Sequence, residues 1–302
     1  IGDVLLAQDI DSSPAIEPPV LAEEPNEVWD EGQPSTASSA EINSASPDAS
    51  MELDALAALQ DALTRVYAEV NPSVVSIQVL QQGMVPQGGQ RSGTGSGFIW
   101  DREGNIVTNN HVVEDADEVE VRFHDGFVVD AEIIGTDPDT DLAVLQVDTD
   151  EERLQPVSVI DSESIEVGDV AVAIGSPFGF ENTMTVGFVS AVGRSLPAGA
   201  SQYTIPRVIQ TDASINPGNS GGALVNSRGD VIGVTTAIVS PNRSSAGIGF
   251  AVPSSLVLRV IPALIGEGAY THSWLGISGL TLTNDVAEQL DVEGYQQGVL
   301  VG

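Results

Sequence analysis

A hydroxyl, an imidazole and a carboxylate, each placed where a polar turn meets an apolar strand, are the groups in this chain whose spacing could do chemistry together. The hydroxyl is Ser220, in the loop Thr211-Asp-Ala-Ser-Ile-Asn-Pro-Gly-Asn-Ser-Gly-Gly-Ala-Leu224. Glycines at 218, 221 and 222 free the backbone to turn sharply, including into positive φ, and let another backbone approach closely. In such a turn the N–H groups of Gly218 and Ser220 can point into one small space, with Asn219 setting the turn between them. That is the arrangement an oxyanion hole requires beside an attacking hydroxyl. A bare G-x-S-G is more often a hairpin loop, so the assignment depends on a base and an orienting acid elsewhere.

Three histidines are available. His111 lies in Asn105-Ile-Val-Thr-Asn-Asn-His-Val-Val113, where a short apolar strand ends and a polar turn begins. His124 sits in His-Asp-Gly, a hairpin-turn sequence that leaves it in water. His272, in the polar Tyr270-Thr-His-Ser273 step, reads as a linker residue near a domain boundary. The acid is Asp141, opening the strand Asp141-Leu-Ala-Val-Leu-Gln-Val147, where it would be half buried against a histidine ring. Asp137 and Asp139 fall in an Asp-Pro-Asp-Thr turn and are expected to stay solvated. Histidine, aspartate and serine in that chain order is the chymotrypsin-like order, not that of subtilisin or the α/β-hydrolases.

Thr108-Asn-Asn-His-Val-Val113, Asp141-Leu-Ala-Val-Leu145 and Gly218-Asn-Ser-Gly-Gly-Ala-Leu224 resemble the three catalytic blocks of the HtrA/Deg family of serine proteases. Gly93-Thr-Gly-Ser-Gly-Phe-Ile99 and Gly247-Ile-Gly-Phe-Ala-Val-Pro253 are similar to the same family's pattern, and the likeness runs from Val66 to the chain end. The resemblance implies an all-β, chymotrypsin/trypsin-like double barrel and a serine endopeptidase that cleaves unfolded or misfolded proteins in quality control, without a cofactor. His111 would be the base, Asp141 its orienting acid and Ser220 the nucleophile. A homotrimer and an extracytoplasmic location, secreted or membrane-anchored, are implied in the same way.

Charge is the strongest compositional signal. Forty-four acids stand against 10 basic residues, all arginine, for a formal net charge of −34. The first fifty residues hold 11 of the acids and no base, so residues 51–302 still carry 33 against 10. Such a field repels nucleic acid and anionic membranes rather than recruiting them. The lysine-free, acid-rich usage resembles that of halophilic archaea, whose surfaces work where salt screens self-repulsion. The absence of cysteine excludes disulfides and thiolate chemistry, and three scattered histidines suggest no metal site.

Residues 1–50, rich in Ser, Pro, Ala, Asp and Glu, read as a disordered acidic tail or tether. The chain begins at Ile1, so removal of an upstream segment, with any membrane anchor, is expected; no apolar run of spanning length occurs. The protease domain is expected over 51–268. Its first element is an amphipathic helix at 51–69, with Leu53, Leu56, Leu63, Val66 and Val70 on one face; packing on the chain's own barrel is favoured over a subunit contact, which the trimer implied by the resemblance would also suit. Strands are expected at 74–80, 95–100, 105–108, 118–123, 127–135 and 141–147, within a first barrel over 73–150. A second set at 170–175, 183–192, 207–211, 222–226, 230–239 and 247–252 builds a barrel over 168–252, and a closing helix follows at 253–266. Residues 270–302 resemble the opening of a PDZ domain, in which Trp274, Leu275, Gly276 and Ile277 would receive a peptide C-terminus. A short strand-turn extension docked on the protease fits that segment nearly as well.

The fold implied by the resemblance puts the base of the first specificity pocket six residues before the nucleophile, at Ser214. A pocket without an acid gives no preference for Lys or Arg, and walls from Ile215, Ile248, Gly249 and Phe250 would favour small or medium aliphatic side chains. Asp212 is the residue that could reverse this. The loops 175–182, 193–203 and 240–246 would be regulatory by resemblance, and the 77–92 stretch is too short for a long inhibitory insertion. Two rival functions belong to other classes: a chaperone or peptide-binding scaffold on the same fold, and a structural surface protein. Fluorophosphonate labelling excludes the structural protein, and suppression of aggregation by a Ser220→Ala variant supports the chaperone.

Overall fold

The computed structural model describes residues 47–81, 91–176, 182–198, 201, 203–236, 247–273, 276–277, 279–290 and 298–302. The chain divides into two compact units, Ile1–Asp48 and Ala49–Gly302, and the description that follows concerns the second. The expected tail over residues 1–46 lies outside the described residues, as do most of the 175–182 and 240–246 loops, residues 82–90, Trp274 and Leu275.

Six strands form the first barrel: β1 (Val74–Gln81), β2 (Arg91–Ile99), β3 (Asn105–Thr108), β4 (Glu118–Arg122), β5 (Val128–Asp137) and β6 (Leu142–Val147). They close in the order β1-β2-β3-β6-β5-β4, with Ile77 opposite Val121 completing the circuit. The second barrel is β7 (Val170–Gly175), β8 (Thr183–Pro197), β9 (Thr204–Thr211), β10 (Ala223–Val225), β11 (Val231–Thr236) and β12 (Gly249–Pro253). It closes when β10 meets β7, Ala223 opposite Ile174, and its order β7-β8-β9-β12-β11-β10 repeats that of the first. Both barrels are antiparallel throughout, and closure leaves no open sheet edge.

Alternation along the strands builds three apolar layers. Val75, Ile77, Ala143 and Leu145 fill the first barrel, and Ala171, Ala173, Ile209 and Ile232 fill the second. Their neighbours Val74, Leu142, Val144, Val172 and Ile174 face the other way and form one cluster shared by the two barrels. Strands at this seam are apolar on both faces, which explains the unbroken runs Leu142-Ala-Val-Leu145 and Val170-Ala-Val-Ala-Ile174.

Helix α1 (Pro47–Val70) is longer than expected and only partly seated. Val66 and Val70 are buried in the seam cluster with Leu63 against it, but Leu56 is 62% exposed and Leu59 47%. The expectation that the whole stripe packs on the barrel fails at Leu56, because the helix runs past the surface its last two turns cover. One turn, α2 (Asn110–Val113), carries His111. Helix α3 (Ser254–Glu267) buries Val257, Val260, Ile261 and Leu264 and ends at Gly268, whose φ of 76° is the left-handed cap glycine adopts without strain. Beyond it, β13 (Gly279–Thr281) pairs with β14 (Val299–Val301) around the short helix α4 (Asn284–Gln289).

Gly135 fixes the seat of α3. A Cβ there would stand 2.6 Å from the Leu264 carbonyl oxygen and 2.9 Å from its Cβ. Replacing Gly135 by alanine should push the helix off β5 and lower the unfolding free energy by about 1–3 kcal/mol, the usual cost of overpacking. Denaturant unfolding measures it.

Candidate active site

His111 and Asp141 meet at the seam, and Ser220 lies on a turn packed against the strand that leads to His111, each delivered by a different device. Asn109, in extended conformation, precedes the single turn of α2 and so throws His111 away from the end of β3. Asp141 precedes β6 with φ at 57°, a left-handed conformation that costs most side chains about 1–2 kcal/mol and that aspartate tolerates better than most. Its carbonyl accepts from Asn109 Nδ2 at 2.8 Å and from the Asn110 N–H at 3.2 Å, which holds the kink in place.

The carboxylate of Asp141 is a buried charge, so it needs donors. His111 Nδ1 lies 2.8 Å from Oδ2 and 2.9 Å from Oδ1, and the His111 main-chain N–H donates to Oδ1 at 3.0 Å. The Thr236 hydroxyl, from the last residue of β11 in the other barrel, donates to Oδ2 at 2.9 Å. Nδ1 is thus the ring nitrogen engaged by the acid, leaving Nε2 for whatever enters the cleft. The His111 side chain is 34% exposed against 9% for Asp141, so one edge of the ring is buried by the acid while the other reaches solvent.

Ser220 is buried on a turn that glycine alone permits. Gly218 and Gly221 have φ of 95° and 85°. A Cβ on Gly221 would stand 2.2 Å from the Ser96 carbonyl oxygen and 2.3 Å from Thr108 Oγ1, which places the turn against the strand that leads to His111. The N–H of Asn219 donates to Asn216 O, that of Gly221 to Thr235 O and that of Gly222 to Asn219 O. Among the described residues, the N–H groups of Gly218 and Ser220 have no such acceptor, so two donors alternate with the engaged ones. No hydrogen bond joins Ser220 Oγ to His111 among the described residues; catalytic hydrogen bonds of this kind often tighten only when substrate is bound.

The expected pocket residues part company. Ser214 is exposed, and its carbonyl accepts from the Thr185 hydroxyl at 2.9 Å. Ile215 is fully buried inside the second barrel, so its expected place in a pocket wall is corrected: the alternation through 213–215 turns it inward. A Cβ on Gly249 would lie 2.6 Å from Ile215 Cγ1, Phe250 packs on the seam cluster, and Ile248 is exposed. Asp212 is engaged by backbone, its Oδ1 accepting from the Phe188 N–H at 2.6 Å. Of the peptide-binding candidates, Gly276 has φ of 67° and Ile277 is exposed.

Two expectations are overturned away from this centre. Asp137 is buried, not solvated, and His272 is no plain linker residue: its Nε2 lies 2.9–3.0 Å from both Asp137 oxygens. Asp137 ends β5 inside the barrel wall, and the chain beyond α3 folds back over it, which local turn chemistry does not reveal. With Asp139 these residues could hold a metal ion, their ligand atoms lying within 4.8 Å of one another, where the sequence suggested no site.

Sequence reasoning missed Thr236 and Ser96. Nothing in a β-branched strand end marks Thr236 as a donor to an acid 95 residues earlier, whereas the glycines around Ser96 signalled close backbone approach.

Comparison with known proteins agrees with this fold. The trypsin-like peptidase domain family matches over residues 95–234. Protease Do-like 1, chloroplastic, of Arabidopsis thaliana is 41% identical over 242 residues, 77% of this chain and 54% of the relative. The periplasmic pH-dependent serine endoprotease DegQ of Escherichia coli is 42% identical over 69% of this chain and 45% of its own length. Among solved structures, the HtrA-type protease AlgW with a tripeptide superposes with a TM-score of 0.67 at 40% identity, over 79% of this chain and 74% of that one. Deg5 gives 0.59 at 38% identity, over 70% of this chain and 97% of that one. The chain spans about half the length of the curated relatives it matches.

Thr236→Val should remove the second barrel's donor to Asp141 and lower stability by about 1.5–3 kcal/mol, the worth of a hydrogen bond to a charged group. Thr236→Ser keeps the hydroxyl and should lose about 1 kcal/mol or less for the missing methyl. Equal losses in urea unfolding would mean that the hydroxyl carries nothing.

Proposed function

The chain belongs to the HtrA/Deg family of trypsin-like serine proteases, and from that membership and the geometry at the seam we propose that it is a serine endopeptidase of unfolded or misfolded proteins. The observation that carries the proposal is the His111–Asp141 pair, locked from the opposite barrel by Thr236, together with a glycine turn in which two N–H groups have no acceptor among the described residues. Ser220 Oγ attacks the peptide carbonyl while His111 Nε2 takes its proton. The carbonyl oxygen, now negative, enters the space served by the N–H groups of Gly218 and Ser220. Asp141 holds the tautomer with Nδ1 protonated and stabilises the imidazolium. That imidazolium then protonates the leaving amine, and water repeats the sequence on the acyl-enzyme.

Exposed Ser214, with no acid at the pocket base, and exposed Ile248 favour cleavage after small or medium aliphatic residues. Exposed Leu56 and Leu59 on α1 suit a contact between subunits of a homotrimer. The β13–α4–β14 segment is read as the start of a PDZ domain. Periplasmic relatives support an extracytoplasmic site of action, and among the described residues no helix is long and apolar enough to cross a membrane. A net charge of −34 suits a surface that folds and works in concentrated salt.

One experiment covers both the chemistry and the surface. Casein cleavage by wild type should exceed that of Ser220→Ala by a factor on the order of 10⁴–10⁶ in kcat. It should also be stronger in about 2–3 M KCl, where screening is complete, than in dilute buffer. Equal rates in the two proteins would refute the protease, and equal rates in the two salts would refute the adapted surface.

A further inference from the structure

We infer that Ser96 is the positioning residue of the oxyanion turn: its hydroxyl, on a strand of the first barrel, sets the orientation of Gly218 in the second. The inference rests on the protease reading above and names a residue that reading does not use. Ser96 lies in β2 between Gly95 and Gly97 and is fully buried. Every polar group it has is engaged. Its N–H donates to the Ser220 carbonyl at 2.8 Å, and its hydroxyl donates to the Gly218 carbonyl at 2.6 Å. That hydroxyl accepts from the Ser176 N–H at 2.7 Å, and its carbonyl accepts from Thr108 Oγ1 at 2.7 Å.

The consequence follows from the planarity of the peptide unit, whose C=O and N–H point in opposite directions. Holding the Gly218 carbonyl on Ser96 Oγ turns the Asn219 N–H the other way, onto Asn216 O. Holding the Ser220 carbonyl on Ser96 N turns the Gly221 N–H onto Thr235 O. The peptide between them is pinned from its own side, the Asn219 carbonyl accepting from the Thr235 hydroxyl and the Gly222 N–H. With both neighbours fixed, the Ser220 N–H has one remaining direction, away from Thr235.

Gly218 is the weak link in this chain of planes. At φ 95° it can swing, and the peptide joining it to Asn219 can turn over, unless its carbonyl is held. The bond from Ser96 Oγ is the hydrogen bond that holds it. Space around this hydroxyl is closed as well: a Cβ on Gly175 would lie 3.0 Å from Ser96 Oγ and 2.9 Å from Asn219 Oδ1. Through Thr108, Ser96 is also tied to the strand that leads to His111. Docking of the two barrels and formation of the oxyanion hole are therefore one event.

The test compares wild type, Ser96→Ala, Ser96→Thr and Ser220→Ala on a chromogenic peptide, with active sites counted by a fluorophosphonate. Ser96→Ala keeps the main-chain bond to Ser220 and loses only the grip on Gly218. Its kcat per titrated site should fall by a factor on the order of 10–10³, up to the loss of one whole oxyanion donor, with KM within about twofold. Affinity for a peptide boronic acid, which mimics the tetrahedral state, should fall in step with kcat/KM. Ser96→Thr restores the hydroxyl and should recover most of the rate; should its extra methyl prevent folding, the kcat–KM split in Ser96→Ala still decides. An unchanged kcat per titrated site, with only the titratable fraction reduced, would overturn the inference and leave Ser96 a packing residue. A wild type that the fluorophosphonate does not label at Ser220 would overturn the protease reading itself, and this inference with it.

Discussion

The Asp141 carboxylate is the constraint from which the rest of the structure can be understood. A carboxylate this deeply buried is stable only if donors meet it, and here both barrels supply them. His111 reaches it from the turn after β3, through both ring and backbone, while Thr236 reaches it from the far barrel. The strained φ at Asp141 aims the side chain at both. The two barrels must therefore dock in one relative position, and the layer of Val74, Leu142, Val144, Val172 and Ile174 provides the apolar area that holds them there.

The same seam organises the nucleophile. Gly175, Gly221 and Gly222 are each in a place where a Cβ would meet backbone or a buried polar atom within 3 Å. Glycine here is a consequence of how closely the Ser220 turn approaches β2, β3 and β7. That closeness lets one serine on β2 reach two carbonyls of the turn, and among the described residues the alternate N–H groups have no acceptor. Electrostatic stabilisation of a developing oxyanion depends on donors that need no reorganisation at the moment of reaction, and a turn clamped from both barrels is held against such reorganisation.

Much of this was legible in the sequence because the information was local. Alternation, Gly/Asp turns and short spacing marked all twelve barrel strands, with differences mainly at their ends, and the order His111, Asp141, Ser220 pointed to an imidazole and a carboxylate that do pair. What escaped was non-local. The role of Thr236 depends on a contact across 95 residues, and buried Asp137 meets His272 only because the chain folds back from beyond α3. Ile215 was placed in a pocket because it lies near Ser214, yet alternation sends it into the core. The α1 stripe predicted a packed helix, but an apolar face does not state how far its partner surface extends, and Leu56 overruns it.

The measurement that tests the central claim most directly is site-resolved labelling by a fluorophosphonate, read by mass spectrometry on wild type, His111→Ala and Asp141→Asn. If the carboxylate, ring and hydroxyl act as one unit, wild type takes a single adduct, located on Ser220. Both variants should then label slower by a factor on the order of 10³ or more, as in other proteases built on this constellation. An adduct on another residue, or labelling of Ser220 at an unchanged rate in Asp141→Asn, would contradict the account.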